Sequence, residues 1–268
     1  MKQTLADGGF TMGTWVMQSR SPAVIRLIAN AGFDFVFIDT EHSDFSTETV
    51  HTFCDVARAS DLVPIVRAYD TNAHLANRIQ DLGAMGLMYH DVTSREQVDE
   101  ILRAMTYPPA GYRGSTSWGA PMDYSTSTDG AAIRAQVDDN AMLVVQIESA
   151  EGVANMDAIL TGGGVDLVEV GRGDLSSSLG HPLQARHPEV MSALDDVIAV
   201  CDKHGVAVGV NAQSVEDATD LVDRGVRSIA FSNDRRILQL AYQEAITTVG
   251  AHAVSVFGTA QGGAGSDG

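Results

Sequence analysis

Short runs rich in apolar residues, without regular polar alternation, recur along this chain, and each is followed by a longer stretch with helical spacing. The runs predict eight strands, at residues 11–17, 35–39, 63–68, 86–89, 142–147, 166–170, 206–210 and 228–232. Strands without polar alternation are typical of a parallel sheet that is covered on both faces. About eight β/α units in about 250 residues is the pattern of a (β/α)8 barrel, so we predict an α/β protein with the TIM-barrel fold.

The intervening stretches predict helices, several of which end at a glycine suited to a left-handed C-cap, such as Gly205. They lie at residues 22–31, 47–59, 73–82, 95–105, 150–160, 188–204, 215–224 and 235–248. The alternative fold is a doubly wound sheet, which would carry a glycine-rich first β/α turn. The first turn here is Gln18-Ser-Arg-Ser-Pro22, without that motif, and the barrel is favoured.

One segment, residues 107–140, departs from the β/α rhythm. It connects a predicted helix to a predicted strand, so we expect it to begin at the N-terminal face of the barrel. Its aromatic residues would either cover the barrel bottom or contact a neighbouring subunit, given its unusual length for a loop. We expect a single barrel domain over residues 1–257 and a disordered tail over 258–268.

Charge and composition exclude several classes of function. The formal net charge of −18 over 268 residues argues against nucleic-acid binding, which requires a basic surface. The two cysteines, Cys54 and Cys201, are predicted to be buried hydrophobes and not a disulfide framework. The N-terminus lacks the apolar run of a signal peptide and no segment reaches membrane-spanning length, so a soluble cytoplasmic protein is expected.

Polar residues cluster where strands two and three end. Asp39, Glu41 and His42 follow the second strand, and Arg67 ends the third. In a barrel, these positions converge on one mouth, from which catalytic groups normally come. His42 is either a structural histidine or, with Asp39 beside it, an acid/base group. Arg67 requires an anionic partner, which is either a substrate or a structural carboxylate such as Asp70 or Asp81.

Strands five and six carry the predicted metal ligands. Gln146 and Glu148 lie two residues apart and so share one face of a strand. Glu148 and Asp174, from adjacent strand ends, would suit an oxygen-ligated Mg²⁺ or Mn²⁺. Gly171 and Gly173 would let backbone N–H groups approach a substrate carboxylate at a helix start. The other histidines are expected to be surface or capping residues.

The residues resemble the HpcH/HpaI class II aldolases, which cleave 2-keto-3-deoxy sugar acids and related 4-hydroxy-2-oxo acids. The resemblance extends from Gly13-Thr-Trp15 to about Leu238. Its motifs are Ile38-Asp-Thr-Glu-His42, Val66-Arg67, Leu82-Gly-Ala84, Tyr107-Pro-Pro-Ala-Gly-Tyr-Arg-Gly114, Val145-Gln-Ile-Glu148, Gly173-Asp-Leu-Ser176, Leu179-Gly180 and His187-Pro-Glu-Val190.

The resemblance implies a metal-dependent lyase that releases pyruvate and an aldehyde through a metal-bound pyruvate enolate. It implies a divalent cation (Mg²⁺, Mn²⁺ or Co²⁺) held by Glu148 and Asp174, with Gln146 beside them and the backbone of Gly173 and Asp174 binding the substrate carboxylate. It further implies a homohexamer, a trimer of dimers, that often exchanges the last helix. The implied catalytic residues are His42 and Asp39 as the proton-transfer dyad, Arg67 at the enolate, and Asp81 near the mouth.

The chemistry of the residues agrees with those implied roles. Retro-aldol cleavage leaves an enolate, whose charge a cation and a guanidinium would stabilise. No lysine lies at a suitable strand end, which argues against a Schiff-base aldolase.

The sequence departs from the family pattern at three places that bear on the acceptor. These are Tyr89-His-Asp91 after the fourth strand, Arg172 before Asp174, and residues 232–236 after the eighth strand. His90, Asp91 and Arg172 would serve a more anionic acceptor, so a lyase or synthase acting on an oxaloacetate-like oxo acid is the alternative. A barrel that binds a small acid without turnover is the non-enzymatic alternative.

Overall fold

Eight parallel strands close into a barrel in chain order, and β8 pairs with β1. The structure is a computed structural model and describes residues 1–114, 119–127 and 129–258. The strands are β1 (Thr11–Val16), β2 (Phe35–Asp39), β3 (Val63–Arg67), β4 (Gly86–Tyr89), β5 (Met142–Ile147), β6 (Leu167–Val170), β7 (Ala207–Ala212) and β8 (Ser228–Asn233). The predicted (β/α)8 barrel is confirmed. The doubly wound alternative is wrong, because that sheet would have open edges.

Twelve α-helices lie in the described part of the chain, and the principal ones run along the outside of the barrel between successive strands. They are α1 (Lys2–Ala6), α2 (Ala23–Asn30), α3 (Thr47–Arg58), α4 (Leu75–Asp81), α5 (Arg95–Met105), α6 (Gly130–Asn140), α7 (Ala150–Ala154), α8 (Met156–Leu160), α9 (Arg172–Ser178), α10 (Pro188–His204), α11 (Val215–Asp223) and α12 (Asp234–Phe257). The single helix predicted at residues 150–160 is two helices. Asn155 ends the first with ψ of 5°, and its side-chain amide donates to the Thr93 carbonyl at 2.9 Å.

Two hydrophobic layers explain why the strands lack polar alternation. Inside the barrel, Phe35, Phe37 and Ile65 belong to one buried cluster, while the outward side chains of the same strands pack against the helices. Gly13 makes room for Phe35, since a Cβ at Gly13 would lie 2.4 Å from the Phe35 ring. Cys54 and Cys201 are free and buried, as predicted. The hydrophobic filling of the lower barrel leaves inward-facing polar groups concentrated towards the carboxyl ends of the strands.

The irregular segment after α5 lies beside the N-terminal face of the barrel. A short 3-10 helix (Ala120–Met122) and α6 follow one another there, and Met122 lines a small cavity with Met85 and Ala141, which precede β4 and β5. Arg113 is buried, with its guanidinium 4.6 Å from the centre of the Tyr107 ring. The described parts of this segment, residues 107–114, 119–127 and 129–140, therefore pack near the barrel bottom, the first of the two predicted locations; Trp118 lies outside the described residues.

The last helix, α12, exposes many apolar side chains, including Leu240, Tyr242 and Ile246. Only Asp234 at its first turn is buried. The exchange of this helix with a partner stays a prediction. The predicted tail falls mostly outside the described residues. None of the helices that the structure describes combines the length and hydropathy needed to cross a membrane.

Candidate functional site

Five inward-facing polar residues form a layer near the carboxyl ends of the strands. They are buried, with exposures of 8% or less, and comprise Asp39, Arg67, Gln146, Glu148 and Glu169. Apolar residues fill the barrel below them. Ionisable side chains are rarely buried without a partner or a function. The layer at the mouth is therefore the candidate active site, as the sequence predicted.

Arg67 is held by two carboxylates that also come from the end of β2. Its Nε and Nη2 lie 2.9 and 2.8 Å from Asp39 Oδ1, and its Nη1 lies 2.9 Å from Glu41 Oε2. The guanidinium also stacks on Trp15, 4.7 Å from the ring centre. Two salt bridges and a stack fix the position of a buried cation beside the cavity. The anionic partners are therefore Asp39 and Glu41, and not Asp70 or Asp81 as the sequence allowed.

The structure does not pair the His42 ring with Asp39. The side chain of His42 is 59% exposed and its Nε2 lies 3.7 Å from Glu41 Oε1. Asp39 Oδ1 accepts the backbone N–H groups of Glu41 and His42 instead. His90 Nδ1 also lies 3.7 Å from Glu41 Oε1. Glu41, which is not among the catalytic residues that the resemblance implies, thus lies between Arg67 and two histidines.

Asp81 is not at the mouth of this chain, which corrects the sequence-based expectation. It is the last residue of α4 and lies towards the N-terminal face, where Arg113 Nη2 contacts its Oδ1 at 3.2 Å. A helix that follows β3 runs back to the start of β4, so its last residue must lie at the opposite end of the barrel from the strand ends.

Glu148 and Gln146 form the next part of the layer. Glu148 Oε1 accepts the Asp91 backbone N–H at 3.1 Å, and Oε2 accepts an N–H from Gln146. Burial raises the pKa of Glu148 to about 7, the Asp91 hydrogen bond opposes that shift, and the charge of Asp174 reinforces it. Gly171 is required here, because a Cβ would lie 2.6 Å from Glu148 Oε2.

These residues suit a divalent cation. Glu148 and Asp174 provide two carboxylates, and the charge of Asp174 disfavours the charged form of Glu148; a cation would remove that penalty. Gln146 Oε1 is buried and has no hydrogen-bond partner within the described residues. Carboxylate and amide oxygens are the ligands that Mg²⁺ and Mn²⁺ prefer. The predicted ligand pair therefore fits, with the amide oxygen as a third donor.

The turn into α9 holds Arg172 in a buried ion pair. Its Nη1 and Nη2 lie 3.1 and 2.7 Å from the two oxygens of Asp217, and Nη2 also donates to the Asn211 carbonyl at 2.9 Å. Asp217 is further contacted by Arg186. Arg172 therefore joins two loops of the barrel, and its charge is already balanced. Gly173 has open space at its Cβ position, so close packing within the chain does not demand a glycine there.

Glu169 is a buried carboxyl to which the sequence analysis assigns no role. It is 2% exposed, and neither oxygen has a hydrogen-bond partner in the described residues. Burial raises the pKa of Glu169 to about 8, although Arg172 and Arg67 oppose that shift. The available signal was a charged residue inside the otherwise apolar run Leu167-Val-Glu-Val170, two residues before Gly171 on the same face.

A cavity of about 280 Å³ opens beside this layer. Its lining includes Arg67, Gln146 and Glu169 on one side and Asn211, Gln213, Asn233 and Trp15 on the other. The cavity therefore connects the residues predicted to bind pyruvate with a polar wall formed by β7 and β8.

A second group of potential metal ligands, His181, His187 and Glu189, lies in the loop before α10 and at its start. His187 Nδ1 accepts the Glu189 backbone N–H at 3.3 Å, which makes it the predicted helix cap. The two imidazole rings stack 3.5 Å apart and 18° from parallel. Because each ring directs its lone pairs within its own plane, stacked rings converge poorly on one ion. This group is a loop-stabilising contact.

Comparison with known proteins finds relatives that match most of the chain. The family model described as HpcH/HpaI aldolase/citrate lyase matches residues 12–239. The chain is 32% identical to a hydroxypyruvate/pyruvate aldolase of Chromohalobacter salexigens over 90% of this chain and 94% of that protein. It is also 32% identical to a 5-keto-4-deoxy-D-glucarate aldolase of Escherichia coli O6:H1, over 92% and 95% of the two chains. The crystal structure of an HpcH/HpaI aldolase from Desulfitobacterium hafniense superposes with a TM-score of 0.87 at 28% identity, covering 93% of this chain and 96% of that one.

Proposed function

The chain belongs to the HpcH/HpaI aldolase/citrate lyase family and is a metal-dependent carbon–carbon lyase, and we propose that it cleaves and forms 4-hydroxy-2-oxo acids at the barrel mouth. The products of cleavage would be a pyruvate-type 2-oxo acid and an aldehyde. The observation that carries this proposal is the fixed Arg67 guanidinium, which faces the same cavity as Gln146, the residue that donates a hydrogen bond to Glu148. Such an arrangement provides positive charge where an enolate oxygen develops.

Glu148, Asp174 and the Gln146 amide oxygen would hold the divalent cation. When bound, that cation supplies Lewis-acid charge beside the 2-oxo group. The backbone at Gly173 and Asp174, at the start of α9, would bind the substrate carboxylate, where helix N–H groups face outwards. Arg67 would donate hydrogen bonds to the oxygen that becomes the enolate. The bound cation would offset the charge repulsion between Glu148 and Asp174.

Proton transfer would involve Glu41 and the histidines next to it. In cleavage, a base removes the proton of the C4 hydroxyl, the C3–C4 bond breaks, and its electron pair forms the enolate. His42 remains our candidate for that base, with Glu41 in place of Asp39 as its carboxylate neighbour at 3.7 Å. Asp39 would act through Arg67, which it holds in place. A proton returned to C3 then completes the 2-oxo acid product.

The proposed enolate chemistry can be tested without knowing the aldehyde. We expect the protein with Mg²⁺ or Mn²⁺ to exchange the methyl protons of pyruvate in D₂O, which proton NMR measures as loss of the methyl signal. Excess EDTA should abolish the exchange, and a fresh excess of the cation should restore it. The variant Glu148→Gln should exchange at a small fraction of the wild-type rate. Absence of exchange with every divalent cation tried would reject the proposed function.

The role of His42 is separable from that of His90. We expect His42→Ala to lower kcat/KM for aldol cleavage about a hundredfold or more, since general acid–base catalysis typically contributes 10²–10⁴-fold. Cation affinity, measured by calorimetry, should stay within about threefold of wild type because His42 is absent from the proposed ligand set. His90→Asn is the matched comparison, since both rings lie 3.7 Å from Glu41. A larger loss of kcat/KM in His90→Asn would assign the base to His90.

The structure weakens one argument for the alternative function with an oxaloacetate-like acceptor. It relied on Arg172 to bind the additional carboxylate, but Arg172 is bidentate to Asp217 inside the protein. If Arg172 bound a substrate carboxylate instead, Asp217 would keep only Arg186 as a cationic partner among the described residues. A neutral aldehyde is therefore the acceptor that the cavity favours.

A further inference from the structure

We infer that Glu169 binds a hydroxyl group on C3 of the 2-oxo acid, so that the enzyme prefers a 3-hydroxylated nucleophile to pyruvate. This inference rests on the proposed function and identifies the class of substrate that the same site selects. Four observations on Glu169 and its surroundings carry it.

Glu169 lacks a partner although cations are close. Arg67 is bound to Asp39 and Glu41, and Arg172 is bound to Asp217, so neither guanidinium forms a salt bridge with Glu169. Both Glu169 oxygens are buried without a hydrogen bond in the described part of the chain. Buried polar groups are normally satisfied, and one that is not calls for an explanation. A polar substrate group in the cavity would satisfy this carboxyl.

A glycine on the neighbouring strand β7 leaves space for the Glu169 carboxyl. Gly209 on β7 has no side chain, and a Cβ there would lie only 2.3 Å from Glu169 Oε2. Any other residue at position 209 would therefore displace the carboxyl. The pair of a buried glutamate and a facing glycine gives the carboxyl room at the cavity wall.

The chemistry of that wall suits a hydroxyl group. Asn211, Gln213 and Asn233 line the cavity together with Glu169. A pyruvate methyl group would gain no hydrogen bond from these residues. A hydroxyl group both donates and accepts, and a carboxyl group can provide the complementary acceptor or, when protonated, a donor. The wall is thus adapted to a hydroxymethylene in place of a methyl.

The depth of Glu169 indicates which substrate carries the hydroxyl. In the strand register, Glu169 pairs with Gln146 and lies deeper than Glu148. The acceptor aldehyde would enter from the solvent side, where the His42 side chain is 59% exposed and that of Glu41 is 20% exposed. Glu169 therefore faces the nucleophile from within the barrel. C3 is the carbon of that nucleophile that can bear a hydroxyl group.

The test compares two nucleophiles with one acceptor that has no hydroxyl. With formaldehyde as acceptor, product NMR gives kcat/KM for hydroxypyruvate and for pyruvate. We expect Glu169→Val to lower the hydroxypyruvate-to-pyruvate ratio about tenfold to a hundredfold, because a site built around a substrate hydroxyl then loses its partner. Glu169→Gln retains a donor and an acceptor and should keep the ratio within about threefold of wild type. Asp166→Asn removes a carboxylate that directly precedes β6, at the opposite end of that strand from the mouth, and should leave the ratio unchanged.

Three results would overturn the inference while leaving the proposed function intact. The first is an unchanged ratio in Glu169→Val with measurable pyruvate turnover. The second is a change, in Glu169→Val, of the preference for glycolaldehyde over acetaldehyde when pyruvate is the nucleophile. That result would mean that Glu169 binds a hydroxyl group of the acceptor. Loss of turnover with both nucleophiles in Glu169→Val, in a folded variant, would also reject a selective role. By contrast, absence of pyruvate exchange in the wild-type protein would reject the proposed function itself.

Discussion

Replacing Arg67 with alanine should lower kcat/KM for aldol cleavage by about three orders of magnitude or more, since removing one preorganised donor from an oxyanion site typically costs 10²–10³ and Arg67 also carries a full charge. The buried Asp39 carboxylate would at the same time lose its only cationic partner in the described residues. We therefore expect both weaker transition-state stabilisation and a disturbed β2 strand end. The measurement is steady-state cleavage of a 4-hydroxy-2-oxo acid at saturating Mg²⁺ or Mn²⁺.

A lysine variant separates charge from geometry. Arg67→Lys keeps the positive charge. A single ammonium group, however, cannot bind Asp39 and Glu41 at the same time and still face the cavity, as the planar guanidinium does. We expect the kcat/KM of Arg67→Lys to be about tenfold higher than that of Arg67→Ala, and still below that of the wild type. Arg95→Ala is the matched control, because the Arg95 side chain is only 19% exposed and donates to the backbone carbonyls of Ile159 in α8 and of Gly163 after it. Its kcat/KM should remain close to that of the wild type.

Circular dichroism and the thermal midpoint should show that Arg67→Ala remains folded. A folded variant with near-wild-type kcat/KM would remove Arg67 from the mechanism. An equal loss in Arg95→Ala would mean that the effect reflects general loss of structure.

The barrel could be predicted from sequence because its constraints are local and repeated. Each strand is a short run such as Phe35–Asp39, and glycines such as Gly205 (φ 70°) end helices in the conformation that glycine adopts most readily. The split at Asn155 was missed, because it depends on a hydrogen bond to Thr93 in a different β/α unit. Distant contacts of this kind leave no periodic signal.

The candidate site was predictable as a set of positions but not as a set of pairs. Residues at strand ends converge in any barrel, and Asp39, Arg67 and Glu148 lie where the sequence placed them. Which carboxylate contacts Arg67 depends on the β2–β3 register, which pairs Asp39 with Arg67. Sequence proximity instead favoured an Asp39–His42 pair, and the position of Asp81 required knowing at which end of the barrel α4 stops.

The acidic mouth gives a physical reason for the cation in the proposed function. The chain carries a formal net charge of −18, so its overall field repels a 2-oxo acid. At the mouth, Asp39 and Glu41 already neutralise Arg67, and Glu148 and Asp174 add further negative charge. A bound divalent cation would reverse the local sign of charge and would tie substrate binding to metal binding.

Glu169 should make the unliganded protein less stable as the pH rises. Burial raises its pKa from 4.5 to about 8, so between these values the folded state binds more protons than the unfolded state. Stability therefore decreases with pH across this window, by about 1.4 kcal/mol per pH unit where only the folded state is protonated. Below the window both states are protonated, and above it neither is, so the slope vanishes at each end.

Glu169→Gln removes this proton without changing the shape of the side chain. We expect the variant to gain about 3 kcal/mol in unfolding free energy over the wild type between pH 5.5 and pH 8, from the same linkage relation. Urea denaturation with EDTA present, at several pH values, measures the difference; Glu148 has a raised pKa in both proteins, so its contribution cancels to first order. Glu244→Gln makes the same chemical change on the exposed surface of α12 and should show a far smaller trend.

A pH-independent difference between Glu169→Gln and wild type would mean that the carboxyl is already ionised in the folded protein and paired with Arg67 or Arg172. In that case, Glu169 would not be available to a substrate hydroxyl, and the nucleophile preference should also be insensitive to Glu169→Val. The stability and selectivity experiments therefore test one physical claim, that the space beside Gly209 holds a carboxyl group without a protein partner. Agreement between them would assign the stability lost at this residue to substrate recognition.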